Sequence, residues 1–189
     1  MSSIPSATVM LKLDHSTVRR VGNIAQKCSD RLYANANIPT EDMEVISVVI
    51  EEFVDRFHHG KEEKAYFLET KDKNGYTEDI RKFLIEHELG RRIARMFRTQ
   101  LQNWKMGVDT REPVARFLKS YAVFVTDHTG KEDKFFDLVE ERNSLTPELD
   151  EKLRRHYEIC KSEVGGQSRI EELLRLIEYL EGREWMTDS

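Results

Sequence analysis

Of 189 residues, two are cysteine and four are proline. Two cysteines, Cys28 and Cys160, are too few for a disulfide framework. Without a secretory signal they are expected to be reduced thiols in a cytoplasm. So few prolines, with only nine glycines, leave room for long uninterrupted helices. No apolar run approaches the roughly 18 residues of a membrane span, and the N-terminus lacks a basic-then-apolar leader. A basic stretch is also missing. The formal net charge is −5, which gives nucleic-acid binding no electrostatic support. What remains is 39% hydrophobic and 34% charged residues, the balance of a water-soluble, helix-rich chain. Its length suits one domain, with a sizeable core and a small appendage.

Helical spacing divides the chain into four long segments. The first runs from about Ala7 to Tyr33 along Val9, Leu11, Leu13, Val18, Val21, Ile24, Cys28 and Leu32, after a disordered lead over residues 1–6. The second starts at an N-cap Thr40 and runs through Ile46, Ile50, Phe53, Val54 and Phe57 to Leu68. The third is capped by Thr77 and ends near Trp104. The fourth opens on a capping box, Asp109-Thr110-Arg111-Glu112, and reaches past Val139. Short loops make neighbours antiparallel. The predicted fold is all-α, an up-down-up-down four-helix bundle over residues 1–143. Residues 144–189 read as a C-terminal helical extension packed on the bundle. It comprises one helix after Thr146-Pro147, a stop at Gly165-Gly166, and a second helix capped at Ser168.

Two motifs occur twice. His58-His59-Gly60-Lys61-Glu62-Glu63-Lys64 matches His128-Thr129-Gly130-Lys131-Glu132-Asp133-Lys134 at an offset of 70 residues. Asp14-His15 followed by Arg19-Arg20-Val21 matches Glu86-His87 followed by Arg91-Arg92-Ile93 at an offset of 72. A near-constant offset across separated motifs marks an internal repeat. Residues i and i+4 of a helix share a face. Each His-x-x-x-Glu therefore offers an imidazole and a carboxylate to one point. Such nitrogen and oxygen donors suit iron, manganese or zinc.

The order His15, His58/Glu62, His87, His128/Glu132 resembles the hemerythrin-like (HHE cation-binding) family. Glu86-His87-Glu88-Leu89-Gly90-Arg91 resembles its third-helix signature, and the likeness spans roughly residues 7 to 140. The resemblance implies six metal ligands, His15, His58, Glu62, His87, His128 and Glu132, at one level of the bundle. It implies two oxo- or hydroxo-bridged iron ions, with zinc or manganese as lesser alternatives. The implied partner is O2 or a related small oxidant, peroxide or NO, with nucleic acid and membrane excluded. The oxygen carriers of the family add a fifth histidine one turn from the third-helix ligand. Here those positions are Phe83 and Arg91. That departure leans from simple carriage towards an enzyme that removes peroxide or NO or supports iron–sulfur cluster repair. The cluster-repair relatives carry an additional N-terminal segment with paired cysteines, whereas this chain starts at its first helix. An iron-handling or regulatory role is the third possibility, and monomer or homodimer is left open. Tyr121, two turns before His128, is a candidate proton donor or extra ligand, and Tyr66 a weaker one. His59, about 100° round an α-helix from His58, is expected at the surface or behind the ligands; the alternative, that His59/Glu63 serves in place of His58/Glu62, is opposed by the match to His128/Glu132. Asp14 and Glu86 are given the same reading, and the arginine pairs are expected in solvent-side salt bridges.

Overall fold

The computed structural model describes residues 4–187. The predicted lead at Met1–Ser3 lies outside the described residues. Among those described there is no strand. Six helical stretches follow one another: α1 (Ala7–Tyr33), α2 (residues 40–70), α3 (Thr77–Lys105), α4 (Arg111–Glu141), α5 (Pro147–Glu163) and α6 (Gly166–Glu181), before a short 3-10 turn at Glu184–Met186. Ser6, expected in the lead, caps α1 by accepting from the Val9 amide.

The boundaries follow the apolar pattern, and the caps depart from it. Thr40 and Thr77 are the first helical residues of their segments, and neither side chain makes a capping bond. Thr77 instead donates to the Lys71 carbonyl. Thr110 donates to the Gln100 carbonyl across the loop at 2.7 Å, so the expected capping box does not form. Thr146 does cap α5, accepting from the Leu149 amide. Ser168 lies inside α6, which begins at Gly166. Gly165 and Gly166, at φ +111° and +78°, turn the chain between α5 and α6 through a region that disfavours other residues.

The second segment is one continuous helix of changing pitch. It is α-helical over Thr40–Val49 and Phe67–Thr70, and π-helical over Ile50–His59 and Glu62–Tyr66. A π-turn bonds i to i+5 and holds more residues per turn, and such turns favour functional sites. His58 and His59 are both buried on the π-helical stretch.

Contacts between neighbouring helices run in opposite register. Thr8 meets Tyr66 and His15 meets His58 between α1 and α2. Between α2 and α3, Glu63 meets His87 and Ser47 meets Arg98. Glu86 meets His128 and Gln100 meets Thr110 between α3 and α4. Asp137 meets Lys12 and Ala115 meets Ser29 between α4 and α1. Two apolar clusters result. One centres on Leu11, Tyr66, Phe83 and Phe136, the other on Ile24, Ile46, Phe97 and Val125. Leu13, expected on the inner stripe of α1, is 58% exposed, while His15 is fully buried.

Several described side chains after residue 144 pack against these helices. Ile170, Leu173, Ile177 and Leu180 join the second apolar cluster, and Leu153 and Tyr157 the first. Polar contacts hold them there. Asp42, buried at the start of α2, accepts from Tyr179, Arg183 and Trp185 at 2.8 Å each. Arg169 grips Glu52, and Arg20 grips Glu181, each through two hydrogen bonds.

Candidate metal centre

Between the two apolar clusters lies a layer of buried polar side chains. His15, His58, Glu62, His87, His128 and Glu132 are each no more than 1% exposed. Their inward atoms converge. Glu62 Oε1 is 3.3 Å from His58 Nε2 and 3.7 Å from His15 Nε2, while its Oε2 is 3.3 Å from His87 Nε2. Glu132 Oε1 is 3.3 Å from both His87 and His128 Nε2, and its Oε2 is 3.2 Å from His15 Nε2. Each carboxylate thus faces both histidine pairs at once.

The four Nε2 atoms and the four carboxylate oxygens are buried without a well-formed hydrogen bond. With neutral imidazoles there is no donor among these eight atoms, so the layer needs either protons on the rings or a cation. A cation at their centre meets that need, so the donor set fits a metal.

Around the layer runs a second ring of charges. Each imidazole uses Nδ1 on a carboxylate: His15 on Asp133 and His87 on Glu63 at 2.7 Å, His128 on Glu86 at 2.7 Å, and His58 on Asp14 at 3.2 Å. Each of these carboxylates meets a cation in turn. Arg19 holds Asp133, Lys61 holds Asp14, Arg91 holds Glu63 and Lys131 holds Glu86. A carboxylate on Nδ1 fixes the tautomer and leaves Nε2 free as a donor atom. This ring accounts for most of the duplicated sequence. Asp14 and Glu86, Arg19 and Arg91, Lys61 and Lys131, and Glu63 and Asp133 are the repeat partners, and each fills the same role in its half. Arg19 and Arg91 are thus tied to the centre, while Arg20 and Arg92 pair with Glu181 and Glu88. Removing an outer partner typically costs 10–100-fold in metal affinity. Glu86→Ala and Glu63→Ala are expected to weaken metal binding by about that factor, measured by competition with a chelator of known affinity. An unchanged affinity in both would deny the outer ring its role.

Aromatic rings close the layer. Phe136 stacks on His15, Phe67 on His87 and Phe124 on His128. Gly90 makes the last contact possible, because a Cβ there would sit 2.4 Å from the Phe124 ring. The repeated Gly60 and Gly130 meet nothing that explains them.

Electrostatics follow the geometry. Burial lowers the affinity of His15 for a proton, yet Asp133, Glu132 and Glu62 outweigh it and push the ring up to about 11. His58, His87 and His128 move upward for the same reason, against burial. Burial would raise Glu62 and Glu132, but the imidazoles hold both well below the usual carboxylate range.

The tyrosine and cysteine side chains make no hydrogen bond to the six residues. Tyr66 packs its ring on Phe136, and its hydroxyl pairs with Thr8 at 2.9 Å, so it has no free hydroxyl for the centre. Tyr121 packs on Phe124 and makes no hydrogen bond to any of the six residues. Cys28 and Cys160 are buried and free of any disulfide. His59 is not at the surface but buried among the ligand candidates. It is 4% exposed, and its ring stacks on His87 at 3.9 Å.

No described helix is long and apolar enough to cross a membrane. No curated protein and no solved structure matches the chain. The model of the Hemerythrin HHE cation binding domain matches residues 6–139. With a buried His and Glu layer at the middle of that span, the chain belongs to the hemerythrin HHE cation-binding family.

Proposed function

We propose that this protein is a non-haem di-iron protein that binds O2 or a related small oxidant, peroxide or NO. The ligands are His15, His58, Glu62, His87, His128 and Glu132. The observation that carries the reading is the convergence of four Nε2 atoms and two carboxylates, all without well-formed hydrogen bonds, each carboxylate facing both histidine pairs. Such carboxylates suit two cations rather than one. We read the four opposed helix registers as a closed up-down-up-down bundle over residues 1–143, with 144–189 packed on it as an extension.

Bound iron supplies the redox and Lewis-acid chemistry for such ligands. The chain does the rest. The outer carboxylates orient the imidazoles and raise their basicity, and the four cations keep those carboxylates charged. Phe67, Phe124 and Phe136 keep bulk water from the rings they cover. Four neutral imidazoles with two carboxylates leave part of the charge of two dications uncompensated, which favours small anionic or reducible ligands.

The test uses protein loaded with iron under anaerobic conditions and exposed separately to O2, peroxide and NO. A visible charge-transfer band that appears with O2 and reverses on its removal is expected. Iron that oxidises irreversibly while peroxide is consumed over many turnovers would assign the same centre to catalysis instead. No spectral response to any of the three would overturn both.

A further inference from the structure

The fifth imidazole of this layer comes from an unexpected helix. His59 lies beside His58 on the π-helical part of α2, and its ring is perpendicular to His128 at 5.7 Å as well as stacked on His87. One ring nitrogen from each of His59, His87 and His128 falls within 4.8 Å of the others, the spacing of donors to one ion. We propose that His59 is a third nitrogen ligand to the metal held by His87 and His128, so that the two metals are unequal. The inference rests on the di-iron reading above.

Three independent features support it. First, His59 repeats in relaxed form the arrangement of the four rings that face outer carboxylates. Its Nδ1 faces Asp55 Oδ1 at 3.6 Å, and Asp55 is held by Arg91 at 2.6 Å. The imidazole, carboxylate and cation follow in the same order. At 3.6 Å the ring and carboxylate are too far apart for a good hydrogen bond, and Nδ1 is otherwise unpartnered. A small movement of the ring would close that gap.

Second, the extra imidazole exists in one half only. The repeat partner of His59 is Thr129, also buried, and its hydroxyl is spent on the Val125 carbonyl at 2.8 Å. The outer ring is matched between the halves, whereas the nitrogen count is not. Three nitrogens serve one metal and two, His15 and His58, serve the other.

Third, His59 borders a cavity of about 160 Å³ between α2, α3 and α4. Tyr121 and Ala94 line it with His59, and so do Arg95 and Arg98, whose side chains are 57% and 38% exposed. The cavity therefore runs from the surface to this one imidazole. An added small imidazole has a path to the position that a truncated His59 would vacate.

The experiment uses the full chain loaded with 57Fe. Wild-type protein is expected to show two distinct Mössbauer quadrupole doublets of equal area. In His59→Ala one doublet should move while the other stays, and a chelator should strip one of the two irons selectively. Added imidazole should restore both the doublet and the retention. His59→Gln, which keeps most of the volume, should match His59→Ala without imidazole, and circular dichroism confirms the folding of each variant. Two irons with unmoved doublets in His59→Ala, indifferent to imidazole, would leave His59 as packing and overturn the inference. So would a single symmetric doublet in the wild type. Wild-type protein that takes up no iron would instead overturn the di-iron reading itself.

Discussion

Glu62→Ala and Glu132→Ala are each expected to abolish binding of both metals, whereas His87→Ala should cost one metal far more than the other. The difference follows from where the atoms point. Glu62 directs one oxygen at His15 and His58 and the other at His87. Glu132 directs one at His87 and His128 and the other at His15. Neither carboxylate belongs to one pair. Removing either takes a negatively charged donor from both metal positions and leaves imidazoles facing each other across a void. Two dications so close are tolerable only with shared negative charge between them, because their repulsion in a dry interior is severe. His87 can be lost with less damage to the distant half, since His15 and His58 keep both of their outer partners. Metal content after exhaustive dialysis separates the cases. One metal retained in Glu132→Ala would mean that each carboxylate serves a single ion. Equal retention of two irons in His87→Ala would remove His87 from the ligand set.

Metal affinity is expected to fall as pH is lowered, beginning well above neutrality rather than near the ordinary histidine value of about 6.5. In the metal-free layer the imidazoles are paired with Glu62, Glu132 and the outer carboxylates, and they hold protons tightly, His15 up to about 11. A metal must displace those protons, so loading at neutral pH should release them into weakly buffered solution. The same shifts set the sign for stability. A histidine raised on folding binds more protons folded than unfolded between its two values. Its contribution is complete below the unfolded value and is lost as pH rises through the folded one. Metal-free protein should therefore lose melting temperature between about pH 7 and about pH 10. Metal-loaded protein, whose nitrogens carry no such protons, should not lose it through this term. An affinity flat over that range, with no protons released, would contradict the buried ion-pair layer. His59 behaves differently. Burial first, then the neighbouring charge of His87, lowers it to about 3, so it enters neither balance.

Much of this is legible in the sequence. Helical spacing located the long segments because their apolar stripes are long and regular, and the gathered histidines and glutamates stand at the duplicated positions. The outer ring carried a sequence signal as well. Asp14, Arg19, Lys61 and Glu63 recur at the same two offsets as the histidines, and surface residues have no reason to keep that register. The arginine pairs split for a physical reason. Arg19 and Arg91 lie one turn after a buried histidine and reach the outer carboxylates, and their neighbours point outward. Two features were not legible. Capping depends on where a threonine hydroxyl finds its nearest acceptor, and Thr77 and Thr110 find loop or neighbouring-helix carbonyls instead. The π-winding of α2 changes the angle per residue over Ile50–His59 and Glu62–Tyr66, a change that a densely apolar segment conceals. His59 lies within the first of these stretches and packs inside, against His87.

The measurement that bears most directly on the proposed paired-metal centre is an anaerobic titration of metal-free protein with Fe(II), followed by oxidation and electron paramagnetic resonance. The predicted result is an end point at two irons per chain and a silent oxidised spectrum, since two ferric ions sharing Glu62 and Glu132 couple their spins. An end point at one iron per chain, with the signal of an isolated high-spin ferric ion, would contradict it.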